Sequence, residues 1–287
     1  MKIAIASGKG GTGKTTLATS LSSHLSETQD VVLVDLDVEE PNSRLFIRGD
    51  QTHSQSICKQ VPEWTGDCSL CGQCQEICNF NAVIKVGTQI MLFPELCHSC
   101  RACSELCPES ALPLKPRKIG MLNQIQAGNL IFVESRLEIG EQQAVPLISQ
   151  TKDYIDNHFD ESYIIIYDSP PGTSCPVIEA SKDADFVILV TEPTPFGLYD
   201  LKLAVEVMRK MKKDFGVVVN RDGLGNNDVL DYCDMETIPV LARISNDRRI
   251  AELYAAGELI FSTIPEFKEQ LLLLERSLEL STVVDPV

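Results

Sequence analysis

Residues 2–15, KIAIASGKGGTGKT, decide the fold of this chain. KIAIA (2–6) is a short apolar run, the pattern of a strand buried on both faces. GKGGTGKT (8–15) then satisfies G-x-x-x-x-G-K-[ST], and a helix is expected from Lys14 to about Ser26. Gly8, Gly10, Gly11 and Gly13 let backbone N–H groups close around phosphate oxygens without Cβ clashes. Lys14 offsets charge on the outer phosphates, and Thr15 offers a hydroxyl to Mg2+. The helix presents its positive N-terminal end to the same anion. A Gly-rich turn with no ligand is the alternative, but strand, loop and helix in this order are the context a phosphate loop requires.

Working outward, further buried strands are expected at 31–37 (VVLVDLD), 129–137 (NLIFVESRL), 163–168 (YIIIYD), 186–193 (FVILVTEP), 215–221 (FGVVVNR) and 238–244 (IPVLARI). Helical segments are expected at 141–158 and 198–213. Continuous Val/Ile runs alternating with helices make an α/β, doubly wound, mostly parallel sheet. Residues 50–62 read as polar and irregular, and a cysteine-rich block runs from there to about Pro116. The expected division is an ATPase domain of residues 1–57 and 116–287, with a small α+β insert at 58–115.

Eight of the eleven cysteines form two copies of C-x2-C-x2-C-x3-C. The first is Cys68, Cys71, Cys74 and Cys78; the second is Cys97, Cys100, Cys103 and Cys107, followed by Pro108. Each position in one copy lies 29 residues from its counterpart, and Glu76/Glu105 and Ala82/Ala111 repeat as well. This is the bacterial ferredoxin spacing, in which the fourth cysteine ligates the other cluster. Cys68, Cys71, Cys74 and Cys107 are therefore expected to hold one [4Fe–4S] cluster, and Cys97, Cys100, Cys103 and Cys78 the other. Asn79 stands where the second copy has Pro108, and no ligand is lost. Four-cysteine zinc sites are the alternative, but zinc ribbons separate their C-x2-C pairs widely. His98 reads as a solvated side chain near a cluster, and Trp64 as packing.

With its second lysine, Lys9, the loop KGGTGKT resembles the deviant phosphate loop of the MinD/ParA/Mrp/nitrogenase-iron-protein ATPases. The resemblance implies that Lys9 reaches the partner's nucleotide across a dimer that ATP closes. It implies that Asp37 positions or deprotonates the attacking water, with Asp35 as a supporting group. It implies that Asp168, before SPPG, holds Mg2+, probing the site from a strand's carboxyl end. Helix capping is the alternative task for both acids. Asn220 resembles the family's adenine-contacting residue. The nucleotide-binding set is thus Gly8, Gly10, Gly11, Thr12, Gly13, Lys14, Thr15, Thr16 and Asn220. The whole chain resembles members of that superfamily with an inserted ferredoxin domain.

Cys175, seven residues after Asp168, sits where the nitrogenase iron protein has a cluster ligand, but no second cysteine accompanies it. A small buried residue is the plainer reading. Cys58 and Cys233 read as incidental.

Net charge is −16, which disfavours nucleic acid as the main partner. No apolar run reaches a membrane span and no secretory leader pattern opens the chain, so a cytoplasmic protein is expected. The last helical stretch, EFKEQLLLLERSLEL, is amphipathic and acidic. MinD proteins use a basic one to reach membranes, so no stable anchor is expected here. The expected cofactors are ATP, Mg2+ and two [4Fe–4S] clusters; the expected partners are a second copy and a redox or cluster-acceptor protein. Three functions fit: ATP-gated electron transfer, cluster carriage or assembly of Mrp type, and a positioning ATPase with structural clusters.

Overall fold

The computed structural model describes residues 1–281, and for 279–281 the backbone alone. The chain divides into two compact units: residues 1–54, 122–136 and 148 onward form the first, and 55–121 with 137–147 the second.

The strands are β1 (Lys2–Ala6), β2 (Val31–Asp35), β3 (Asp50–Pro62), β4 (Val83–Val86), β5 (Gln89–Leu92), β6 (Leu114–Ala127), β7 (Leu130–Leu137), β8 (Ile164–Asp168), β9 (Phe186–Thr191), β10 (Phe215–Asp222) and β11 (Val240–Ser245). The helices are α1 (Lys14–Leu25), α2 (Gln73–Ile77), α3 (Ala102–Glu105), α4 (Ala144–His158), α5 (Cys175–Ser181), α6 (Pro195–Met211), α7 (Asp228–Met235), α8 (Arg248–Ala256) and α9 (Pro265–Ser281).

The main sheet has the order β11-β10-β9-β1-β8-β2-β7-β6-β3. From β11 to β7 every pairing is parallel. β6 and β7 are joined by Gly128 and Asn129 alone, a connection only antiparallel neighbours can make. The sheet is therefore mixed but mostly parallel. β2, β9 and most of β1 and β8 are buried outright, as their unbroken Val/Ile runs require. Each fully buried Leu, Ile or Val contributes roughly 1.5–3 kcal/mol relative to exposure.

Residues 50–62 depart from expectation. They form β3, a strand at the end of the sheet, instead of an irregular segment. Residues 50–54 are wholly exposed, so the polar run DQTHS carries no buried face to betray the strand. Its partner β6 also went unread, because its LKPRK start is mostly exposed.

In α9, Phe267, Leu271, Leu274 and Leu278 recur at helical spacing and lie in the core of the first unit. The apolar stripe of the acidic last helix is thus used in packing. Among the described residues no helix is long and apolar enough to cross a membrane.

In the second unit, β4 and β5 form an antiparallel hairpin. The internal repeat is written into its backbone. Leu70 and Ser99 have φ of 56° and 54°, Gly72 and Arg101 85° and 64°, Asn81 and Ser110 53° and 51°. α2 and α3 start at equivalent positions, Gln73 and Ala102.

Candidate functional site

Three neighbouring parallel strands, β1, β8 and β2, deliver the phosphate loop and both acids from their carboxyl ends, where open α/β sheets bind ligands. Asp35 and Asp168 stand opposite each other in the β2–β8 register, and Asp168 pairs with Ile5 of β1. Past the strands, the Gly172 N–H donates to the Ser7 carbonyl at 3.0 Å, fixing SPPG beside the phosphate loop. Gly8 is pressed against Asp200 of α6: a Cβ there would lie 2.2 Å from the Asp200 carbonyl oxygen. Gly13 caps α1 with φ 98°, a conformation glycine adopts without strain.

Asp35 and Asp168 are each 1% exposed. The Asp35 carboxylate accepts from the backbone N–H groups of Asp37 (3.1 Å), Asn42 (3.1 Å) and Ser43 (3.0 Å). It is thereby the anchor of the loop that carries Asp37. Burial, then the neighbouring Asp168, pushes the Asp35 pKa well above the usual carboxylate range, against those N–H bonds. The Ser43 hydroxyl donates to Asp168 Oδ2 at 3.1 Å. Burial raises the Asp168 pKa to about 6, opposed by Thr15, Lys14 and Ser43. Asp168 Oδ1 is buried with no well-aligned donor, so a carboxylate oxygen beside the phosphate loop remains open to a cation's shell. Asp37 is half-buried, which raises its pKa while Lys14 pulls it down. Burial lowers the Lys14 pKa, and Asp168, Asp37 and Asp35 oppose it.

Lys9 and Asn220 have partners within the chain. Lys9 Nζ lies 3.1 Å from Glu192 Oε2, and Arg221 Nη1 2.6 Å from Glu192 Oε1. Glu192, 5% exposed, follows directly after β9 and was not anticipated. The available signal was an acid at the carboxyl end of a buried strand, the same as for Asp168. Asn220 Nδ2 donates to the Thr12 carbonyl at 2.7 Å, and its Oδ1 accepts from Arg221 N at 2.9 Å. Its amide braces the phosphate loop. Ser43 was likewise unforeseen, its role arising only from tertiary placement.

In the second unit the eight repeat cysteines line two cavities, four to each. One is bounded by Cys78, Cys97, Cys100 and Cys103, the other by Cys68, Cys71, Cys74 and Cys107. Backbone N–H groups of Leu70, Ser99 and Ala111 donate to Cys68 Sγ (3.4 Å), Cys97 Sγ (3.4 Å) and Cys107 Sγ (3.3 Å). Burial, then neighbouring cysteines, pushes the Cys103 thiol up to about 11, and Cys74 is raised as well. No three His, Cys, Asp or Glu side chains among the described residues converge on a single metal-ion position. His98 stacks on Phe80 with ring centroids 3.7 Å apart, and Trp64 packs in the small core around Cys103.

Cys175 is exposed at the first residue of α5, so its expected burial is corrected. Asp168 ends β8 seven residues earlier, and the bend of SPPGTS (169–174) carries the thiol out of the core. Cys233 is buried and Cys58 half-buried.

The sequence pattern of the CobQ/CobB/MinD/ParA nucleotide binding domain matches residues 3–260. The chain belongs to that family and is an ATP-binding, ATP-hydrolysing P-loop ATPase. The uncharacterized protein MJ0579 of Methanocaldococcus jannaschii is 32% identical over 260 residues, 90% of each chain. A cytosolic Fe-S cluster assembly factor NUBP2 homolog of Culex quinquefasciatus is 25% identical over 293 residues, covering 94% of this chain and 93% of that one. The septum site-determining protein MinD of Pyrococcus horikoshii, complexed with Mg-ADP, superposes with a TM-score of 0.61 at 20% identity, covering 100% of this chain and 99% of that one. At that identity the likeness shows the fold.

Proposed function

We propose that this ATPase works in iron–sulfur cluster assembly or carriage, with [4Fe–4S] clusters held on the two cysteine quartets. The observation that carries the reading is the grouping of eight cysteines around two cavities, each taking its fourth thiol from the other repeat. The relative named as a cluster assembly factor, similar over nearly its whole length, supports the assembly role. Residues 58–115 are then the ferredoxin-type module.

The donor set fits cubane clusters better than zinc. Zn–S bonds of about 2.3 Å crowd four sulfurs round one ion. Thiolates on four separate irons stand further apart, in keeping with quartets that surround a cavity without converging on one point. The amide donors at Cys68, Cys97 and Cys107 suit thiolate acceptors. Thiols with raised pKa stay protonated at neutral pH unless iron takes the proton's place.

At the nucleotide site, Gly8, Gly10, Gly11, Thr12, Gly13, Lys14, Thr15 and Thr16 would hold ATP, with Thr15 and Asp168 on Mg2+ and Asp37 orienting water. The orphaned Asp168 Oδ1 supports a cation there. Asn220 would border the base. Lys9 would leave Glu192 to reach the nucleotide of a second copy when ATP closes a homodimer.

A second reading, ATP-gated electron transfer, is favoured by the completeness of the quartets: all eight cysteines are used and no C-x2-C pair is left over for a transferable cluster. The deciding experiment reconstitutes the chain anaerobically and incubates it with an apo acceptor, with and without MgATP. ATP-dependent appearance of cluster on the acceptor is expected. Clusters that stay bound and cycle reversibly between oxidation states would replace assembly by electron transfer. Failure to bind iron and sulfide would sink both.

A further inference from the structure

The two cysteine-lined cavities share a backbone but not a charge. At three repeat positions, each 29 residues apart, the cavities differ completely. The Cys78/Cys97/Cys100/Cys103 cavity is lined by Phe80, His98 and Arg101. The Cys68/Cys71/Cys74/Cys107 cavity has Glu109, Ser69 and Gly72 at the equivalent places. An arginine lines the first and a glutamate the second.

Arg101 holds its place against its own backbone preference. It caps α3 with φ 64°, in the left-handed region where its counterpart Gly72 sits at 85° without a side-chain penalty. A long charged residue kept where glycine is favoured points to a task for the side chain. Phe80 and His98, at an interplanar angle of 11°, lay a flat cover at the same cavity.

We propose that the two cluster sites are graded in reduction potential, and that the Cys78/Cys97/Cys100/Cys103 site takes the first electron. This rests on the reading that both quartets hold [4Fe–4S] clusters. Reduction adds one electron from an external one-electron donor and turns [4Fe–4S]2+ into [4Fe–4S]+, with no bond made or broken. The added negative charge is stabilised by the Arg101 guanidinium and opposed by Glu109, and local charge is a principal determinant of cluster potential. Two features work the other way. Lys85 lies near the second site, but its ammonium is bonded to the Leu70 carbonyl and does not line the cavity. The Ala111 N–H on Cys107 Sγ favours the reduced cluster there, but as one dipole against a difference of two charges. An electron delivered to the Cys68 side therefore moves on to the side covered by Phe80 and His98, oxidising the Cys68/Cys71/Cys74/Cys107 cluster as it reduces the other.

The test is a dithionite titration of the reconstituted full chain, followed by electron paramagnetic resonance, with iron and sulfide analysed in each sample. Two [4Fe–4S]+ signals titrating at separate potentials are expected. Arg101→Gly, which relieves the backbone, should lower only the higher potential; Arg101→Lys should leave it in place. Glu109→Gln should raise only the lower one, and the double variant should bring the two together. Signals that titrate together in the unaltered chain, or an Arg101→Gly shift absent or equal at both sites, would overturn the grading. Iron and sulfide for fewer than two clusters per chain would instead overturn the cluster reading beneath it.

Discussion

Asp35 and Asp168 stand side by side on neighbouring parallel strands, both buried, and both are bound by Ser43: its N–H on Asp35, its hydroxyl on Asp168. Burial penalises the charged form of each carboxyl group, and the charge of Asp168 raises Asp35 further. Both therefore hold protons more tightly folded than unfolded. The stability Asp168 lends the nucleotide-free protein is fully present below about pH 4 and is lost as pH rises through about 6. Asp168→Asn should abolish this loss. At pH 8 without Mg2+ the variant should be more stable by on the order of 2 kcal/mol, and near pH 4 no different. Thermal unfolding across that range reads it directly; a variant less stable at pH 8 would refute the argument.

Ser43 links the loop bearing Asp37 to the acid of β8. Ser43→Ala removes one hydrogen bond to a charged group, worth about 1.5–3 kcal/mol. ATP hydrolysis should fall roughly 10–100-fold, with nucleotide affinity little changed and the half-saturating Mg2+ concentration raised. Unchanged Mg2+ dependence would mean that the hydroxyl does not position Asp168.

Asn220 braces the phosphate loop through the Thr12 carbonyl, and the contact is close enough that a Cβ on Gly13 would lie 2.2 Å from its Nδ2. Asn220→Ala should cost about 1 kcal/mol of stability and weaken ATP binding several-fold. Asn220→Asp should be worse, since it sets a carboxylate oxygen against a carbonyl oxygen. Calorimetric nucleotide affinities for the two variants test the order, and equal losses would show that the amide N–H is not what matters.

Much of this was legible in the chain itself, for identifiable reasons. VVLVD and YIIIYD announce strands buried on both faces, and the phosphate loop needs glycines at fixed offsets. β3 escaped because it lies at the sheet's end with its first five residues exposed, so neither periodicity nor hydrophobicity marks it. Glu192 and Ser43 escaped because their roles exist only once the chain folds: nothing in VTEP places Lys9 and Arg221 on one carboxylate, and nothing in PNS points a hydroxyl at residue 168. The cysteine repeat was legible to the backbone level, because paired left-handed residues 29 apart follow from one motif folded twice.

Lys59 and Glu141 form a pair within the second unit whose side chains are each 2% exposed, 3.0 Å apart. Glu141 Oε2 is buried without a hydrogen bond, and its other cation, Arg117 Nη2, stands off at 3.8 Å. Lys59→Met leaves the carboxylate only the more distant Arg117 guanidinium and should destabilise this unit by up to about 3–5 kcal/mol. Adding Glu141→Leu should recover most of that, because two apolar side chains replace two buried charges. Denaturant unfolding of both variants measures the coupling; additive losses would mean that the two groups do not depend on one another.

Cys107 belongs by sequence to the second cysteine motif and by position to the cavity of Cys68, Cys71 and Cys74. Those two assignments make opposite predictions. If position governs and the proposed clusters form, Cys107→Ser removes a thiolate from the cluster of the first motif, and the site of Cys78, Cys97, Cys100 and Cys103 keeps all four ligands. Iron and sulfide should then fall by about half on reconstitution, and the resonance of the higher-potential cluster should survive. Cys78→Ser should give the mirror result, leaving the lower-potential cluster. If each motif served its own cluster, the surviving signals would be exchanged between the two variants. Neither substitution touches the nucleotide site, so each protein should still hydrolyse ATP, a check that it has folded.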